Sequence, residues 1–95
     1  MAALTLRLSE RIHLDFPAGT ADKVASYLAS LTDEALGGQD PERVLTAIVL
    51  ASAGQWDRFL SIVRLLRLDW RDVLVAGGLA NADWPARLDE ELRSP

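Results

Sequence analysis

The stretch Asp40-Pro41-Glu42, followed by RVLTAIVLASAG, limits the possible folds of this chain more than any other. An acid that can cap, a proline where its missing N–H costs nothing, and an acid in the first turn together mark a helix start. Val44, Leu45, Ile48, Val49 and Leu50 then leave no clean polar face. A helix that is apolar nearly all round has to be surrounded by other elements. The spacing therefore predicts a central helix over 41–53, closed by Gly54 as its C-cap.

The elements available to surround it are helical. Leucine and alanine carry most of the 49% hydrophobic fraction, and β-branched and aromatic residues are sparse. Thr20 is read as the cap of a helix ending near Leu31, with Val24, Tyr27, Leu28 and Leu31 at helical spacing. Residues 32–40, with Gly37-Gly38, read as an acidic loop with one helical turn at 33–36.

Over 55–76, Trp56, Phe59, Val63, Leu66, Trp70 and Val73 alternate by three and four, as in one continuous helix with a heptad seam. The preferred reading breaks this stretch at Leu68-Asp69. Asp69 then caps a short helix 70–76, with Asp72 at the third position of a weak capping box. A continuous coiled coil would leave the second stripe Ile62, Leu65 and Leu68 wet. Gly77-Gly78 stops the helix, and Asp83 with Pro85 opens a last one over 84–92.

Residues 4–16 are the ambiguous segment. Leu4, Leu6, Leu8 and Ile12, Leu14, Phe16 alternate like the two arms of a hairpin, but the turn between them holds no Gly, Asn, Asp or Pro. A helix with the stripe Leu4, Leu8, Ile12 and Phe16 is preferred, ended by Pro17. The expectation is thus an all-α fold, one domain spanning 1–95 as a bundle of five or six short helices.

The tryptophans recur at intervals of 14 in QWDRFL, DWRDVL and DWPARL, each with a leucine four residues on: Leu60, Leu74 and Leu88. On a helix such pairs share a face. Fourteen residues is too short for the common helical solenoids, so no array is read. The simpler explanation is a capped helix whose first large side chain folds over the core. The functional one is that at least one ring, Trp56 or Trp84 near a chain turn foremost, is exposed as an anchor for another protein.

Arg64, Arg67 and Arg71, with Arg58, form a stripe that could grip phosphate or an acidic peptide if the helix were continuous. Asp57, Asp69 and Asp72 are interleaved with them, and a self-neutralised solvated face is the preferred reading. Residues 44–71 carry +2 between flanks that each carry −3, and the chain as a whole −4. Such a balance disfavours a nucleic-acid binder, which needs positive potential to displace counterions.

Catalytic constellations are thin. His13 is the lone histidine, beside Glu10 and Asp15, and no converging ligand set suggests a metal. The glycine pairs lack a phosphate-loop context. No cysteine is present, which removes disulfides and thiolate sites and suits a reducing compartment, and no secretory pattern or run long enough for a bilayer is seen. A cytoplasmic location follows as the expectation.

The segment LDWRDVLVAGGLANADWPARL resembles small bacterial proteins of unassigned function that carry D-W-R-D-[VL]-L-V-A-x-G-L followed by D-W-P. The resemblance covers about the last 50 residues. It implies an all-helical bacterial cytoplasmic protein and brings no catalytic residue, cofactor or ligand with it. The functional expectation is a non-enzymatic interaction or regulatory module, a homodimer being the most economical partner arrangement. The candidate surface is Trp56, Arg64, Arg67, Trp70, Arg71 and Trp84. A nucleic-acid accessory using the arginine face and a small-molecule domain with a tryptophan-lined pocket are the alternatives.

Overall fold

A computed structural model describes residues 4–93. Among them are six helices and no strand: α1 (Leu6–Asp15), α2 (Ala18–Ala29), α3 (Pro41–Ser52), α4 (Trp56–Leu68), α5 (Trp70–Ala76) and α6 (Trp84–Glu91). The all-α expectation holds, and α3 is the hub. It packs against α1, α4, α5 and α6, and every residue from Val44 to Val49 is buried. Asp40 caps it as expected, its side chain accepting from the Arg43 N–H at 3.3 Å.

The amino-terminal segment is the preferred helix. Thr5 caps it by accepting from the Leu8 N–H at 3.3 Å, and Leu8, Ile12 and Phe16 face the core. The hairpin-like alternation came from Leu6 and Leu14, which point outward and are 77% and 68% exposed. Leucines on both faces of a helix imitate a period of two.

Several local signals resolve differently from their sequence reading. Helix α2 begins at Ala18, with Pro17 rather than Thr20 at its cap and no capping side-chain bond. The fixed φ of proline orients that start without one. Leu36, in the segment read as a polar acidic loop, is fully buried and pins hydrogen-bonded turns to the core. At the end of α3 it is Ala53 that first turns left-handed, at φ 51°, and Gly54 follows at φ 73°. Gly54 lies so close to the carbonyl of Asp15 that a Cβ would clash with it. At α6 the Asp83 side chain makes no capping bond.

The helix does break at Asp69, which is extended at φ −162° and ψ 111°. Its side chain accepts from the Arg71 N–H at 3.0 Å, while its own N–H goes back to the Leu65 carbonyl at 2.8 Å. Asp72 therefore supplies no reciprocal half of a capping box. The break lets the apolar positions turn inward twice. Phe59, Val63 and Leu66 do so from α4, and Val73 and Leu74 from α5.

Two polar clamps close the structure. Arg7 of α1 holds Glu42 at the start of α3, at 2.9 and 2.6 Å, and Asp89 of α6 at 2.7 Å. Arg43 donates to the Leu79 carbonyl at 3.0 Å and lies 4.7 Å from the centre of the Trp84 ring, tying the 79–84 turn to α3. No helix is long and apolar enough to cross a membrane among the described residues.

Candidate functional site

An open groove of about 620 Å³ lies between the C-terminal end of α2 with the turn after it and the α4–α5 junction. Its apolar lining includes Leu31, Leu66 and Trp70. One bank carries Thr32, Glu34 and Ala35, the other Arg67, Leu68, Asp69 and Arg71, and Tyr27 also contributes. The α2–α3 connection supplies the first bank because buried Leu36 anchors it. The second bank exists because Asp69 breaks the helix and turns the chain there.

Trp70 owes its position to a glycine. The indole of Trp70 packs over Gly37, which adopts φ 68°, and a Cβ at that position would overlap the ring. Left-handed φ and close approach both call for glycine here. Arg71 grips Asp69 with two parallel bonds of 3.0 and 3.1 Å, and its guanidinium lies 6.0 Å from the Trp70 ring centre. The Arg71 hydrogen bonds hold the Asp69 carboxyl below its usual range, and the same pairing raises Arg71.

Arg67 is bound otherwise. Its only side-chain hydrogen bond among the described residues is to the Tyr27 hydroxyl, at 3.3 Å. Neither Arg64 nor Arg67 has a carboxylate oxygen within 4.0 Å among the described residues. The interleaved acids therefore neutralise only Arg71, and the expected self-neutralised face is limited to one pair. The three-residue stripe is not continuous either, because the break at Asp69 carries Arg71 onto α5.

Of the six candidate surface residues, the groove gathers Arg67, Trp70 and Arg71. Arg64 is exposed on α4 one turn before it. Trp56, 37% exposed, stacks on Phe59 with centroids 5.4 Å apart and shares a separate shallow depression with Lys23 and Tyr27. Trp84 is half-buried beneath Arg43. The tryptophans thus do not line one pocket: Trp70 lines the groove and Trp56 the separate depression. Sequence reasoning missed Tyr27, Leu31 and Glu34 as groove residues, since each looked like an ordinary position on its own element. Leu68 was visible as part of the second stripe, and it is 83% exposed.

Between α1, α3 and α6 the charged groups are committed to one another. A smaller depression of about 370 Å³ near Leu14 and Leu92 is lined by Arg7 and Arg11, whose guanidinium groups already engage Glu42, Asp89, Asp15 and the Glu91 carbonyl. His13 is on the surface, with Nδ1 2.9 Å from the Ser9 carbonyl and Nε2 3.4 Å from Asp22. No group of three or more potential metal ligands occurs among the described residues. Comparison of the chain with protein-family models, with curated proteins and with solved structures found no match.

Proposed function

We propose that this protein is a non-enzymatic interaction module of the bacterial cytoplasm that acts by pairing with a second copy of itself. The observation that carries the reading is Leu68. Among the described residues it is the most exposed large apolar side chain, at 83%, and it sits on the rim of a groove that Leu31, Leu66 and Trp70 help to line. Exposed apolar surface next to aromatic and arginine side chains is what protein contact surfaces are made of. Stretches 41–53 and 55–68 are apolar on nearly every side, more than the interior of so small a domain readily covers. Helix α3 absorbs its share inside the fold, so the case narrows to the groove. Cytoplasmic residence is supported by the lack of cysteine, and bacterial origin by the resemblance of the carboxyl-terminal segment, both within this proposal.

Light scattering behind a sizing column, at two loading concentrations well apart, tests it. A mass near twice 10.4 kDa that rises with loading is expected. A mass of one chain at both loadings overturns self-association. The nucleic-acid alternative is favoured by a single observation, that Arg64 and Arg67 of the stripe have no acidic partner among the described residues, and it is opposed by the net charge of −4. It predicts salt-sensitive retardation of DNA or RNA, and a gel-shift assay at low salt showing none would dismiss it.

A further inference from the structure

Resting on the self-association reading, we infer that the groove is a twofold-symmetric interface in which Arg67 of each copy meets Glu34 of the other and each Leu68 enters the opposing groove. The single chain leaves two charges unpaired at this groove. Glu34 on one bank has no basic group within 4.0 Å among the described residues, and Arg67 on the other has no acidic one. Opposite charges flank one groove and yet do not meet across it.

A groove with one unpaired carboxylate on one bank and one unpaired guanidinium on the other is complementary to itself. Rotated by a half-turn and laid on a copy, each bank faces the bank of opposite sign, which is the reciprocal contact a twofold interface requires. Shape follows the same logic. The groove between Leu31 and Trp70 is a recess, and the exposed leucine on its own rim is a projection. Arg71 is already neutralised by Asp69, so the registering pair falls to Arg67 and Glu34. An acidic peptide would suit Arg67 but would be repelled by Glu34, whereas a second copy satisfies both.

The test uses two exposed single substitutions, Arg67→Glu and Glu34→Arg, with far-UV circular dichroism to show that each retains the helical fold. Each variant alone places like charges across the twofold. Each is expected to dimerise at least about tenfold more weakly than the natural chain, since like charges facing one another across an interface oppose association. Mixed in equal amounts, the two variants restore both contacts at once, because the carboxylate of Arg67→Glu then faces the guanidinium of Glu34→Arg and the remaining Glu34 faces the remaining Arg67. A heterodimer as tight as the natural dimer is expected from the mixture alone, a result no contact within one chain can produce. Two folded variants that remain as dimeric as the natural chain overturn this interface while leaving self-association in place. Variants that are monomeric both apart and mixed overturn the reciprocal pairing. A natural chain that is monomeric at every concentration overturns this inference and the self-association reading together.

Discussion

Gly77 lies against the backbone of Ala47: a Cβ at position 77 would stand 2.5 Å from both the Cα and the carbonyl oxygen of Ala47. Gly77 has an ordinary φ of −87°, so the constraint is the approach of α5 to α3 and not the backbone conformation. Backbone atoms cannot swing away as a side chain can. Gly77→Ala must therefore push the helices apart, at a cost of about 2 kcal/mol or more. At about 4–8 °C per kcal/mol for a domain of this size, the melting temperature should fall by roughly 8–16 °C. Gly19, inside α2, has nothing within 4 Å of its virtual Cβ. There Gly→Ala should raise stability by about 0.5 kcal/mol through the unfolded chain. Thermal melts of the two variants should move in opposite directions.

Ile48 is fully buried on the hub helix. Ile48→Asp places an unpaired carboxylate where no water can reach it, at a cost of about 4–5 kcal/mol or more. That is comparable with the whole stability expected of a 95-residue chain, roughly 5–14 kcal/mol. Loss of the cooperative melt is the expected outcome, while Ile48→Val should keep it with a loss of about 1 kcal/mol. If the aspartate variant melts within a few degrees of the natural chain, α3 is not the hub.

The Arg7–Glu42 clamp should make stability depend on acid. The Arg7 hydrogen bonds hold the Glu42 carboxyl below its ordinary value of 4.5, with Thr5 adding a further donor. A depressed folded-state value means that the contribution is fully present above the unfolded value and is lost as the pH falls through the folded one. Arg7 is 37% exposed, so screening limits the contribution to about 1 kcal/mol. Glu42→Gln should be less stable than the natural chain at neutral pH, and the gap should close on acidification. A gap that stays constant from neutral to acid pH would show that the carboxylate charge does not contribute.

His13 should titrate above its ordinary 6.5. The Ser9 carbonyl, then Asp22, stabilise the protonated ring. The bond to Asp22 joins α1 to α2, so this small contribution is present below the unfolded value and lost as the pH rises through the folded one. Following the ring protons by NMR should give an elevated midpoint that moves down in Asp22→Asn. An unchanged midpoint in that variant would remove Asp22 as a cause.

How much was legible in the sequence depends on whether the deciding interaction is local. Asp40-Pro41 announced α3 because a cap and its first turn are neighbours in the chain. The break at Asp69 was legible because an uninterrupted seam would have left Leu68 and its stripe facing water. Leu68 is exposed all the same, now on the rim of a groove. The apolar pattern from Val44 to Leu50 required a central helix, since no other placement buries all of its faces.

What the tertiary structure alone decided are relations between distant residues. That Leu36 plugs the core, that Gly37 seats Trp70, that Arg7 reaches Glu42 and Asp89, and that Arg67 reaches the Tyr27 hydroxyl are set by how the helices pack. The three tryptophans, alike in sequence, were given three roles by packing: one stacked on Phe59, one seated on Gly37, one held beneath Arg43. Local propensity determines where a helix begins and ends, because its cause lies within one or two turns. Which side chains meet across a groove depends on the burial of the whole apolar surface at once, and no short stretch of sequence contains that information.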